Sequence, residues 1–270
     1  MAKWNESEHP RDDDGKFTDG TGGGRTHWIT SKRDFSNVQA SVAQRVVDDD
    51  ETASFTEVKQ VEDLIKNKKW FIVKNINGTE YNSNEAISLE GCDLQSARGV
   101  FKAHQTLYER FPQLIGKLAG MNATKIVSTE MARCSMGFGC GGLVVNTFWY
   151  GNNEVLQKSY VDSVIKNFHP QGTEANAAVS VTMHELGHAI DDYLSSISGK
   201  KGFLSHSLRP KIMKQCGYSI NDIQTQVSEY AGTDAEEWFA ECWCEYMVSS
   251  NPRPVAQALG DAVSKLIRSE

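Results

Sequence analysis

The chain has 270 residues with a net charge of -7, and 39% of its residues are hydrophobic. That is long enough for a substantial core, and the acidic balance offers no electrostatic footprint for nucleic acid or anionic lipid. No apolar run approaches the roughly 20 residues of a membrane span, and the charged start "MAKWNESEHPRDDDGKF" lacks the apolar middle of a signal peptide. The expectation is a protein that stays in the compartment where it is made.

Residues 1–52 read as a disordered tail, with "RDDDGKFTDGTGGGRT", an acidic run from Asp48 to Glu51 and very few large apolar residues. The wording "HPRDDDGKF" resembles a short stretch of many bacteriophage and prophage proteins, often head or morphogenesis proteins, which implies a phage particle or morphogenesis complex as a partner. Residues 53–270 read as one domain, with the residues of chemical interest within 140–250.

Along that domain, "FTEVKQVEDLIKNKK" predicts a helix and "WFIVKNI" a strand ended by the turn "NGTE". From Leu94 to about Arg110, Ala97, Phe101, His104 or Gln105 and Tyr108 recur at helical spacing, and Pro112 stops the run. "TKIVST" reads as a short strand, and the apolar run after "GFGCGG" as a strand at about 142–150. A further short element covers 153–168. The six cysteines read as reduced thiols because nothing points to an oxidising compartment, and Cys134/Cys140 and Cys242/Cys244 lack the spacing of a structural zinc site.

A long helix is expected from Thr173, capped by Thr173 or Glu174, to about Ser196. It carries "VSVTMHELGHAIDDY". Residues four apart share a helix face, so His184 and His188 can present two imidazoles to one ion. Glu185 projects about 100 degrees away around the helix, within reach of a water on the metal rather than the metal itself. Beyond it, a helix is expected between Pro210 and Cys216, another over 234–249, and an amphipathic segment after Pro254.

A catalytic zinc needs a third protein ligand. "SEYAGTDAEEWFAECWCEYM" places Glu237 and Glu241 on one helical face among aromatics. Glu236 is the neighbouring rival to Glu237, about 100 degrees off that face.

"HELGHAIDDY" followed by "SEYAGTDAEEWFAE" resembles the gluzincin zinc peptidases of the anthrax lethal factor type. In that group a tyrosine stands seven residues before a glutamate ligand that opens an "ExFAE" helix, as Tyr230 and Glu237 do here. The resemblance covers residues 180–248 and leaves the toxin's other domains, hence its substrate, uncovered.

It implies an α+β, zincin-like domain with a small mixed sheet and an active-site helix, holding one Zn2+ per chain. His184, His188 and Glu237 would be ligands, Glu185 the general base and Tyr230 the donor to the oxyanion. Glu241, and Asp191 or Asp192, become candidates for accepting a histidine N–H. The implied activity is peptide-bond hydrolysis of a protein or peptide substrate. Substrate would lie along "GGLVVNTFWY", with Asn146 and Tyr150 as cleft candidates, although such a run also reads as core. His169 in "FHPQG" is weighed for the cleft but reads first as a structural or exposed loop histidine. The competing reading is a phage structural or morphogenesis protein that keeps the fold with weak or no peptidase activity.

Overall fold

One glutamate, two aspartates and two histidines lie within one helix that is buried along almost its whole length, and the rest of the fold is arranged around it. The computed structural model describes residues 51–269 except 77, 78, 128, 138, 140, 200 and 201. Apart from Glu51 and Thr52, the expected tail lies outside the described residues. Those two belong to the fold. Thr52 is fully buried with its carbonyl accepting from Phe55 N, and Glu51 pairs with Lys68.

The described chain is mixed α+β. Helix α1 (Val58–Lys68) is followed by a hairpin of β1 (Val73–Ile76) and β2 (Thr79–Asn82), paired antiparallel from Val73↔Asn82 to Ile76↔Thr79. The strand is shorter than "WFIVKNI" because Trp70 and Phe71 turn into the core instead. Trp70 stacks on Phe101 and Tyr108, while the Asn84 side chain takes both the N–H and the carbonyl of Phe71 at 3.0 Å.

Helix α2 (Leu94–Arg110) starts as expected, with Asp93 capping Ser96 N at 2.7 Å, and buries Ala97, Phe101, His104 and Tyr108. Of the open pair, His104 faces inward. A second, mixed sheet follows, with β3 (Met121–Thr124) parallel to β5 (Leu143–Asn146) and β4 (Ala132–Cys134) antiparallel to β5. Its order is β3-β5-β4, so β5 is the inner strand.

Asn146 explains both boundaries that differ from expectation. Its carboxamide bonds Ile126 N at 3.1 Å and Glu130 O at 2.8 Å, and β3 ends at Thr124, where "TKIVST" predicts a strand to begin. Its oxygen also accepts from Phe148 N, which caps the four-residue helix α3 (Thr147–Tyr150) and ends β5.

Helix α4 (Asn153–Ile165) leads to the loop 166–176 and then to α5 (Ala177–Ile197). The cap of α5 is Asn176, whose side chain accepts from Val179 N at 3.0 Å, not Thr173 or Glu174. Thr173 is buried before the helix, donating to Pro170 O at 2.7 Å and bonding Tyr160. Helix α6 (Leu204–Gln215) begins earlier than expected and takes Pro210 inside it.

After a short helix α7 (Ile223–Gln226) and the 3-10 turn Tyr230–Gly232 come α8 (Ala235–Val248) and α9 (Pro254–Arg268). Helix α9 seats Val255, Leu259, Val263 and Ile267 against the core at helical spacing. Arg253 joins α8 to α9 by a two-nitrogen pairing with the buried Glu245.

Helix α5 packs on α2, α8 and the sheet, so no face of it is left to solvent. Among the described residues no helix is long and apolar enough to cross a membrane.

Candidate metal centre

Burying ionised carboxylates and imidazoles costs several kcal/mol each unless they are paired. Helix α5 nevertheless buries His184, Glu185, His188, Asp191 and Asp192 within nine residues, and α8 adds buried Glu241 beside them. The partners of each group show what the clustering supports.

His184 and His188 lie one turn apart on α5 and face the first turn of α8. There Asp234 caps the helix, accepting from Glu237 N at 2.8 Å, and so sets the position of Glu237. Asp234 is therefore a cap and not a ligand. Three atoms converge: His184 Nε2 and His188 Nε2 are 3.2 Å apart, and Glu237 Oε2 stands 3.1 Å from the first and 3.3 Å from the second.

A tetrahedral metal with ligands at about 2.0–2.1 Å separates any two of them by about 3.3–3.4 Å. The observed edges match that spacing. Glu237 Oε2 is buried, and its near neighbours are the two imidazole nitrogens. His184, His188 and Glu237 form the group among the described residues able to hold a metal ion. Glu236 points elsewhere, its carboxylate 3.0 Å from His206 Nε2 on α6.

The electrostatics favour positive charge at this point. Burial opposes protonation of His184, yet Glu237 in front and Glu241 behind overcome it and raise its proton affinity well above the ordinary value. Burial opposes that of His188 too, and Glu237 again prevails. Glu237 itself is held well below the usual carboxylate range: burial works against its charge, and the two imidazoles outweigh burial.

Glu185, one residue on from His184, is buried, and burial pushes its carboxyl up against the partial opposition of His184 and His188. A carboxyl raised in this way is suited to taking and returning a proton. Tyr230 donates its hydroxyl to Glu237 Oε1 at 3.0 Å, and its ring lies nearly parallel to those of Phe168 and His184. Burial, reinforced by Glu237, raises its phenol well above the ordinary value, so the phenol keeps its proton as a donor.

Glu241 lies behind His184. Its Oε1 lies 2.8 Å from His184 Nδ1, one turn behind the converging atoms. The same oxygen is 3.0 Å from His169 Nδ1, and Oε2 accepts from Ser228 Oγ at 2.8 Å. Burial works against that carboxylate, but His169 and His184 hold it down at about 2.

Both aspartates accept from backbone amides of neighbouring segments. Asp191 Oδ1 accepts from Ser205 N at 3.0 Å and from Ser195 Oγ, fixing the start of α6. Asp192 accepts from Gly137 N at 2.8 Å and Gly141 N at 3.1 Å, tying the glycine loop between β4 and β5 to α5. Gly141 there has φ +59, and a Cβ on it would meet Ala189 Cβ at 2.5 Å.

Asn146 and Tyr150 are not cleft residues. Both are fully buried, Asn146 in the loop bonds described above and Tyr150 against Thr182 Oγ1 at 3.2 Å. Strand β5 cannot receive a substrate strand either, being paired on both sides. The outer strands of this sheet are β3 and β4.

Cys242 and Cys244 both pack inward and stand outside the metal group, and the described cysteines are all free. Residues that sequence reading passed over include Ser228, which holds Glu241, and Gly187, which lets α5 and α8 touch. Neither has a local sequence signature, because each role depends on a neighbour distant in the chain. No protein-family model matches this chain, and no curated protein matches it in sequence.

Proposed function

We propose that this protein is a zinc-dependent endopeptidase of the gluzincin type, built on a zincin-like fold. One observation carries the reading: His184 Nε2, His188 Nε2 and Glu237 Oε2 converge at the edge lengths of a tetrahedral metal site, with the buried Glu185 beside them. Two imidazoles and one carboxylate are a donor set suited to zinc, and three protein ligands leave a position for water or substrate. The HExxH and "EWFAE" resemblance to the lethal factor type of peptidase points the same way.

Zinc bound there would polarise a substrate carbonyl and make water a better nucleophile at neutral pH. The remaining work falls to the chain's own groups. Glu185 accepts the proton of the attacking water and returns it to the leaving amine nitrogen. Tyr230 turns its hydroxyl to the carbonyl oxygen as negative charge develops there. Glu241 keeps His184 in the tautomer with its proton on Nδ1, leaving Nε2 free to ligate.

The substrate backbone pairs with the outer edge of β4, which packs on α5. Glu130, just ahead of β4, is near enough to Glu185 to help raise its carboxyl.

Metal analysis of the purified chain tests the reading together with cleavage of a peptide library. The expected result is about one zinc per wild-type chain, lost in His188→Ala, with cleavage by the wild type. Glu185→Gln should keep the metal and lose cleavage. A wild-type protein without zinc overturns the proposal.

A further inference from the structure

The loop ahead of α5 carries a histidine that the mechanism above does not use. We propose that His169 is a positioning residue of this centre, which by sharing the Glu241 carboxylate with His184 fixes which His184 nitrogen faces Glu237 and His188. The inference rests on the metallopeptidase reading and goes further by assigning the support behind its first ligand.

Glu241 is 1% exposed and its oxygens are fully committed: Oε1 to His184 Nδ1 at 2.8 Å and His169 Nδ1 at 3.0 Å, Oε2 to Ser228 Oγ at 2.8 Å. With these three groups around it, the carboxylate cannot swing without breaking at least one contact. His184 alone would leave it free to rotate about its own side chain. His169 adds a contact from a different segment of chain, the loop before α5.

His169 is itself held in place. Its ring stacks on Tyr160 at 4.9 Å and meets Phe168 edge-on at 5.0 Å. The two residues before it accept from the backbone beside Tyr230, Asn167 O from Glu229 N at 2.8 Å and Phe168 O from Tyr230 N at 3.2 Å. Asn167 adopts φ +62, a conformation that non-glycine residues seldom take, and its side chain donates to Gln224 O at 2.7 Å. The strained turn thus aims His169 at Glu241 and presents two carbonyls to the Tyr230 segment at once. Packing on Tyr160 alone would be met by a phenylalanine; what an imidazole adds is the donor at Nδ1.

Three variants separate the donor from the ring. His169→Asn keeps an amide donor near the position of Nδ1, His169→Gln moves it toward the position of Nε2, and His169→Phe keeps the stack on Tyr160 without any donor. Zinc affinity is read by chelator competition and the ligand field by visible absorption of the cobalt-substituted protein. The Asn variant should stay within about threefold of wild type, with Gln and Phe about 10- to 100-fold weaker and spectrally altered.

Gln and Phe variants that bind zinc as tightly as wild type overturn the inference, as does an Asn variant as weak as Gln. If Asn and Gln fail to fold, the Phe variant decides alone by the same criterion. A wild-type chain that binds neither zinc nor cobalt defeats the metal centre itself, a result distinct from any ordering among the variants.

Discussion

Gly187 brings α5 against α8 at Ala240: a Cβ on Gly187 would lie 2.9 Å from the Ala240 Cα and 3.3 Å from the Trp243 Cβ. The close approach lets the two histidines on one helix meet the glutamate on the other. In an exposed helix, Gly→Ala gains about 1 kcal/mol. Here the new methyl meets backbone that cannot turn aside, and overpacking of a core costs about 1–3 kcal/mol. Gly187→Ala should therefore lower stability by about 1–2 kcal/mol and weaken zinc binding, because α8 carries Glu237 away as it yields. Thermal unfolding and chelator competition check this; unchanged melting with unchanged affinity would count against the crossing as the determinant.

Tyr230→Phe removes one oxygen and leaves the ring beside Phe168 and His184. The lost bond to Glu237 touches Oε1, while Oε2 is the atom that faces the imidazoles, so zinc content should hold. The loss should appear in kcat, about 10²- to 10³-fold for one donor to a developing oxyanion, with little change in KM. Steady-state kinetics on a cleaved peptide gives the split, and an unchanged kcat removes Tyr230 from the chemistry.

Asp192 follows the histidines closely enough in sequence to suggest a role at the metal, yet its oxygens hold Gly137 N and Gly141 N. Asp192→Ala leaves those amides without their acceptor, and the buried Gly141 amide carries the cost, about 1–3 kcal/mol. The variant should melt earlier and be cut by added protease between residues 135 and 142 faster than wild type. Equal cutting rates would show that the loop does not depend on this carboxylate.

What could be read from the sequence follows the range of the interactions. The histidine pair, the tyrosine and the glutamate sit in local patterns, and helix periodicity alone brings His184 and His188 to one face. The α8 cap was not needed to find Glu237, since the shared face with Glu241 already singled it out over Glu236. By contrast, the ends of β5 and α5 turned on Asn146 and Asn176, where a side chain competes with backbone pairing in a way that apolar periodicity does not register. Asn146 and Tyr150 were misplaced because an apolar strand buried in mid-sheet and one lining a cleft share one pattern. His169 was undervalued for a related reason: its partner Glu241 lies 72 residues away.

His104 offers a pH test far from the metal group. Its ring is buried between Phe71 and Tyr108, and its Nδ1 donates to Val100 O at 2.9 Å. Burial outweighs that bond and lowers its pKa from 6.5 to about 4. The unfolded chain therefore binds this proton more readily than the folded one, and falling pH favours unfolding. The stability His104 contributes is complete above about pH 6.5 and drains away as pH falls toward 4, by about 2–3 kcal/mol at most. Other buried groups also titrate in this range, so the comparison is with His104→Leu, which keeps the volume but cannot take a proton. Denaturant titrations at pH 7 and pH 4.5 should show the wild type losing more stability than the variant between the two. Equal losses would mean that the imidazole is solvated in the native state, and with it that α2 packs less tightly on Phe71 than this fold requires.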